Sequence, residues 1–302
     1  MAKTKQTRVH GWVVLDKPLG LTSTQALGRA RRFLGGTKVG HGGTLDPLAT
    51  GVLPLAFGEA TKLIPYVLGG DKEYTFTVQW GEARSTDDAE GDVIARSDIR
   101  PTEEEIRQAL PAFVGPLMQK PPAFSAIKIQ GERAYTRARS GEAVDLPPRE
   151  IVVKSFDLID IPNENSASFC VSCGKGTYIR ALARDLALHL GTYGFLSALR
   201  RTKAASFSLD QAVSMDDLER SQAENDHSAV LLPIKAGLSG IPTLTLTPQE
   251  AHSLRLGQKI LIKPHYKDLL DAPVVFAEYG GSPVALIEPF AGEFRVLRGF
   301  HF

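Results

Sequence analysis

The segment 73-EYTFTVQW-80 alternates without a break, with Tyr74, Phe76, Val78 and Trp80 standing between Glu73, Thr75, Thr77 and Gln79. Successive side chains of a strand point to opposite faces, so this pattern predicts a strand with one apolar and one polar face. Such a strand needs partners. The run 11-GWVVLDKPLG-20 reads as a short buried strand entering a Lys-Pro turn, and 151-IVVKSFDLIDI-161 and 168-SFCVSC-173 read as further strands. Helices fall between them. Thr22 or Ser23 can cap ALGRARRFL, which Gly35 and Gly36 end; Thr102 and Glu105 form a capping box for a helix ending near Phe113; and 178-YIRALARDLALHLG-191 is a helix closed by Gly191. Strands and helices mix without a regular βαβ alternation. The expected fold class is therefore α+β, a mixed, largely antiparallel sheet with flanking helices.

A chain of 302 residues, 43% of them hydrophobic, can bury one large core and a smaller one. Polar residues give way to Pro and Gly across 217–242, and short strands follow in TLTL, KILI, VVFAEY and SPVALIEP. The expected division is a main domain over 1–235 and a small β-rich domain over 240–302. Prolines punctuate 121–148, which reads as an excursion from the core. No apolar run is long enough to span a membrane, and no apolar segment follows the basic N-terminal residues, so neither a span nor a secretory signal is expected and the cytoplasm is the expected location.

The net charge of +1 does not by itself announce a nucleic-acid partner, but the charges are segregated. Acids concentrate in 82–105; bases gather at Lys3, Lys5 and Arg8, at Arg29, Arg31, Arg32 and Lys38, at Arg133, Arg137, Arg139 and Arg149, and at Arg200, Arg201 and Lys203. Segregated charge can present a basic face to a phosphate backbone, whereas any one cluster alone reads as solvated surface. Cys170 and Cys173 stand on a strand without the further ligands zinc requires, and read as structural thiols.

The loop 40-GHGGTLDPLATGVL-53 carries the strongest chemical signal. Its glycines permit close backbone approach, yet it matches neither phosphate-binding glycine motif, and it lacks the second carboxylate of a glycosidase. Read on its residues alone, Asp46 is either a catalytic carboxylate or an Asx-type turn residue. Tyr74, Tyr178 and Leu199 would read as core, and His41 as an ordinary loop histidine.

Taken together, 16-DKPLGLTS-23, 39-VGHGGTLDPLATGVLPL-55, 72-KEYTF-76, 121-PPAFSAIKIQGERAYTRARSG-141, 174-GKGTYIRALARDL-186 and 196-LSALRRT-202 closely resemble the bacterial tRNA pseudouridine-55 synthases. The resemblance runs to about residue 215. Beyond it, the C-terminal part is more loosely similar to the small β-barrel-like (PUA-like) domain that the family appends for RNA contact. Two departures stand out: Phe124 replaces a usual tyrosine, and the glycine usual before Phe207 is absent.

The resemblance implies the pseudouridine synthase fold and isomerisation of the T-loop uridine, with tRNA bound through its T-arm and no cofactor. Asp46 would be the essential carboxylate and Arg180 its ion-pair partner. Tyr74 would stack on the flipped uracil with its hydroxyl near C5, Tyr178 and Leu199 would line the pocket, and His41 would lie beside the flipped position. Lys17 and Pro18 would buttress the aspartate loop. The excursion 121–148 is expected to clamp the RNA, the segment beyond 240 to add only backbone contacts, and the chain to act as a monomer. A noncatalytic RNA-binding protein of the same fold is the other class to weigh; a zinc deaminase would need an H-x-E…P-C-x-x-C arrangement that is missing.

Overall fold

The computed structural model describes residues 9–35, 38–125, 127–142, 144–238 and 240–302. Lys3, Lys5, Arg8, Gly36 and the Arg139 side chain lie outside what is described. β1 (Gly11–Lys17), α1 (Ser23–Phe33), β2 (Val39–His41) and β3 (Ala49–Phe57) come first, followed by α2 (Ile64–Gly69) and β4 (Lys72–Trp80). A hairpin of β5 (Glu82–Arg84) and β6 (Val93–Arg96), then α3 (Glu103–Ala109), lead to β7 (Gly115–Gln119). Within 121–148, β8 (Lys128–Ile129) and β9 (Glu132–Arg133) form a separate small hairpin followed by α4 (Ala134–Arg139). Next come β10 (Arg149–Asn163), β11 (Ser166–Cys173), α5 (Ile179–His189), β12 (Gly194–Ala204), β13 (Phe207–Ser208) and α6 (Met215–Glu224).

The main sheet has the order β1-β3-β12-β4-β11-β10-β7, with β2 on β3 and β13 on β12. Every pairing in it is antiparallel except β3 with β12. The class is α+β, as expected. β4 lies between β11 and β12, and its residues alternate buried and half-buried from end to end. Local chemistry sets the helix ends. Thr22 caps α1 in a box with Gln25, Thr102 caps α3 in a box with Glu105, and Gly191 follows α5 at φ 74°.

β1 is buried on both faces, which accounts for its continuous apolar run. Val13 and Leu15 join the core beneath α1 and α5, whereas Trp12 and Val14 join a second core on the opposite face. That second core is completed by Phe276 and Leu286 from a five-stranded sheet, ordered β14-β16-β17-β18-β15, and by Phe300 just after its β18. Its strands are β14 (Thr243–Thr245), β15 (Ile260–Leu261), β16 (Val275–Tyr279), β17 (Ser282–Phe290) and β18 (Glu293–Gly299). The sequence reading passed over α7 (Pro248–Arg255), although Thr247 and Glu250 form a capping box there. The chain end is tied back as well: His301 N–H donates to Glu59 at 2.8 Å, and Lys62 Nζ to the Gly299 carbonyl.

The missing glycine before Phe207 has a local consequence. Ala204 pairs with Phe207 across the β12–β13 turn, and Ala205 takes the left-handed conformation at φ 54°. An alanine there bears strain that glycine would not. The turn is kept, with Ala205 N–H bonded to the Asp71 carbonyl at 2.8 Å.

Candidate active site

Asp46 lies in the connection between β2 and β3, and that connection is pinned on either side of it. Ser23 Oγ both donates to the Leu45 carbonyl and accepts from the Leu45 N–H, each at 2.8 Å. Lys17, at the end of β1, is wholly buried; its Nζ donates to the Leu21 carbonyl at 2.7 Å and the Pro18 carbonyl at 3.0 Å, and reaches Pro47 at 3.5 Å. Gly20 N–H donates to the same Pro47 carbonyl at 2.9 Å. Burial pulls the Lys17 pKa from 10.5 to about 8, with the Asp46 carboxylate opposing the fall. The Pro18 side chain is exposed, and neither Lys17 nor Pro18 lines the cavities at Asp46.

Arg180 enters from the first turn of α5 with its side chain 7% exposed. Tyr178, the residue before that helix, is fixed by Gln119, whose amide donates to the Tyr178 carbonyl at 3.1 Å and accepts from its N–H at 2.9 Å. The guanidinium stands between two carboxylates, Nη2 at 3.0 Å from Asp46 and Nη1 at 3.3 Å from Asp88. It also donates to the carbonyls of Thr86 at 2.9 Å and Phe124 at 2.8 Å. Asp46 is thus held by a buried cation, while 41% of its side chain remains open.

Asp88 was hidden in the acidic run 82–105, which reads as solvated surface. It is 2% exposed, and its neighbour Asp87 forms an ion pair with Arg184 at 2.8 Å. Arg201 was likewise read as surface. It is 1% exposed, with Nε donating to the Val52 carbonyl at 2.7 Å and Nη2 to Gly43 at 3.1 Å. Strand alternation could have found it: consecutive residues of β12 face opposite ways, so Arg200 turns out to Asp16, at 2.8 Å, and Arg201 turns in.

Two cavities meet at Asp46. The narrower, about 300 Å³, brings together Asp46, Tyr74, Tyr178, Arg180, Leu199 and Arg201. The wider, about 690 Å³, is lined by His41, Asp46, Asp88, Phe124, Arg133 and Arg180 among others. Burial raises the pKa of Tyr74 and of Tyr178. His41 is pushed down by burial and then by the Arg201 charge, and its buried Nδ1 has no hydrogen-bond partner among the described residues. The Cys173 thiol is raised by burial to about 11, which leaves it inert as a nucleophile. Among the described residues, no group of three or more His, Cys, Asp or Glu is placed to hold a metal ion, and no helix is long and apolar enough to cross a membrane.

Two family descriptions match in tandem, both of pseudouridylate synthases: the TruB family pseudouridylate synthase N-terminal domain over 31–179 and the tRNA pseudouridylate synthase B C-terminal domain over 180–239. The second sheet, from residue 243, lies beyond both. The proteins named tRNA pseudouridine synthase B are similar along their length. That of Bradyrhizobium diazoefficiens is 47% identical, with 97% of this chain and 86% of that protein covered. That of Rhizobium etli is 46% identical, with 99% and 98% covered. The chain belongs to the TruB family of pseudouridylate synthases, which are isomerases. Among solved structures, one described as an H/ACA RNP bound to a substrate RNA containing 2′-deoxyuridine shares the fold, with TM-score 0.74, 21% identity, and 97% of this chain and 86% of that chain covered.

Proposed function

We propose that the protein isomerises uridine to pseudouridine at position 55 in the T-loop of tRNA, with Asp46 as the reacting carboxylate. The observation that carries this reading is the Asp46–Arg180 pair at 3.0 Å, placed where the two cavities meet. A carboxylate acting as nucleophile or base must be ionised; the cation of Arg180 favours that form against desolvation. The narrow cavity takes the flipped uracil against Tyr74, with Tyr178 and Leu199 closing it, and the wide one takes the RNA loop. Flipping costs a few kcal/mol, which stacking offsets. A neutral His41 suits the space the base leaves.

The N1–C1′ bond breaks, the uracil turns, and C5 bonds to C1′, so atoms are rearranged and none is added; no cofactor is required. Residues 121–148 act as a clamp on the RNA backbone, and the second sheet adds contacts to the tRNA. The protein acts as a monomer, with one chain supplying every group named, in the cytoplasm where tRNA is modified. Tritium release from a tRNA transcript labelled at uridine C5, with no cofactor added, tests the reading. Release with pseudouridine in the product is expected. Tight tRNA binding without release would mean a noncatalytic RNA-binding protein.

A further inference from the structure

Arg201 is a buried guanidinium that the reaction as described does not use. Among the described residues no carboxylate lies within ion-pair reach of it, and it is held by the carbonyls of Val52 and Gly43. Burying an arginine in this way is costly, and an arginine does not shed its proton to escape the cost. The fold nevertheless forces it inward. Arg201 lies opposite Tyr74 in the antiparallel β12–β4 register and opposite Gly51 in the parallel β12–β3 register. Opposed residues of an antiparallel pair share a face, with Cβ atoms about 4.5–5.5 Å apart. A Cβ at Gly51 would meet the Arg201 carbonyl at 2.2 Å, so glycine is what lets the two strands approach.

The charge acts on most of its neighbours. It adds to the effect of burial in lowering the pKa of Lys17, His41 and Lys72. At Tyr74, which lines the narrow cavity together with Arg201, burial raises the phenol; the Arg201 charge opposes this, while Cys173 on β11 and Asp46 on the loop act with burial.

We propose that Arg201 is a positioning residue for proton removal from C5: its guanidinium fixes the Tyr74 hydroxyl and holds the negative charge on that oxygen while it accepts the proton. This rests on the reading that Tyr74 faces the uracil. Once C5 is bonded to C1′, the Tyr74 oxygen takes the C5 proton as its own hydroxyl proton passes to water and on to N1. The C5–H electron pair closes the C5=C6 bond, the C6=N1 pair moves to N1, and N1 receives the proton that Tyr74 gives up, so the nucleobase loses nothing. Burial disfavours negative charge on that oxygen, and the Arg201 cation opposes this while the proton is exchanged. Because the same guanidinium holds the Gly43 carbonyl, it also ties the aspartate loop to Tyr74.

A tRNA transcript carrying uridine deuterated at C5 isolates this step. Arg201→Met and Arg201→Lys should lower kcat, the Met variant by about 10²-fold, the scale of a lost acid–base group. KM should stay within about twofold, as for an interaction that acts only in the transition state. Both variants should show a larger deuterium effect than the wild type. Lysine should restore part of the rate, since it keeps the charge but not the planar fork. Tyr74→Phe should show the same enlarged isotope effect, and adding Arg201→Lys to it should cost little more. If Arg201→Met does not fold, as judged by circular dichroism, Arg201→Lys decides. An Arg201 variant with lowered kcat and an unchanged isotope effect, or one whose loss multiplies with that of Tyr74→Phe, overturns the proposal and leaves Tyr74 in place. Wild-type turnover by Tyr74→Phe overturns the reading of Tyr74 and the proposal with it.

Discussion

Arg180 is 7% exposed between two carboxylates, whereas Arg295, on the second sheet, is 46% exposed beside Glu288. The contrast holds for the surrounding regions too. Around Asp46 the charges are held at fixed positions by the main-chain carbonyls of several elements; on the second sheet they lie on the outside, where water screens them. Buried ions are costly to disturb, because a partner left alone is desolvated without compensation. Surface ions contribute little to stability and are free to exchange one partner for another.

The sharpest break of this contrast is at Asp46. Asp46→Ala and Asp46→Asn should abolish pseudouridine formation while tRNA binding stays within a few fold, because phosphate contacts dominate affinity. Turnover by Asp46→Ala, measured by tritium release, would exclude the carboxylate from the chemistry. Next in size come the partners of Arg180. Arg180→Met leaves Asp88, 2% exposed, without its cation, and Asp88→Asn removes one of the two anions that Arg180 faces. Breaking a buried pair costs about 3–5 kcal/mol, so both variants should melt well below the wild type and turn over slowly. A thermal melt unchanged in Asp88→Asn would place that carboxylate outside the network.

The second sheet is not separable in the way its exposed charges imply. Phe276, Leu286 and Phe300 are at most 5% exposed and pack with Trp12, Val14, Val52 and Phe207 of the main sheet. Truncation before Thr243, which would raise KM alone if the segment beyond 240 added only backbone contacts, would uncover this shared core. Phe300→Ala is the gentler test and should cost about 3–5 kcal/mol of stability. An unchanged melting temperature would mean that the two sheets hold independently.

The sequence was readable wherever one residue's period or neighbours set its environment. The alternation of β4, a cap for α1 at Thr22 or Ser23, the capping box of α3, and the Gly191 stop needed no tertiary information. The loop around Asp46 was visible from its glycines, but its partner was not: Arg180 lies far along the chain, and only the family resemblance joined the two. Asp88 and Arg201 were misread for a shared reason. Each sits among like charges, and a run of charge reads as solvated surface until the fold turns one member inward. The shared core was missed because β1 looks the same whether its second face is covered by a helix or by another sheet.

Lys17 gives a smaller effect with a definite sign. Its folded pKa of about 8 lies below the ordinary 10.5, so between these values the folded chain binds fewer protons than the unfolded one. The stability contributed by this group therefore rises with pH across that window. The rate should do the opposite. Deprotonation removes one donor from the set holding Pro18, Leu21 and Pro47, and the aspartate loop loosens. We expect kcat to fall a few fold as pH passes about 8, with no fall in melting temperature traceable to Lys17. Lys17→Met should be slower at every pH and lose this step. A wild-type step persisting in Lys17→Met would assign it to another group.

The smallest effects lie in the segment beyond residue 240, where the structure sorts the six lysines and arginines into two groups. Lys259, Lys263 and Arg295 are already paired, with Glu293 at 3.0 Å, Glu250 at 2.6 Å and Glu288 at 2.5 Å. The Lys263 pair is the firmest. Although burial raises Glu250, its hydrogen bonds from Lys263, Thr247 and Tyr266 bring its pKa down to about 2. A phosphate must compete with these carboxylates. Arg255, Lys267 and Arg298 are exposed and have no ion-pair partner among the described residues. If this sheet contacts the tRNA backbone, those three should carry the contacts. Each of Arg255→Gln, Lys267→Gln and Arg298→Gln should then reduce the slope of log Kd against log salt by about one, whereas Lys259→Gln and Arg295→Gln should change it less. Saturated rates should stay at the wild-type value, since contacts made equally in ground and transition states affect KM alone. Equal slopes for all five variants and the wild type would remove this face from the RNA-binding surface.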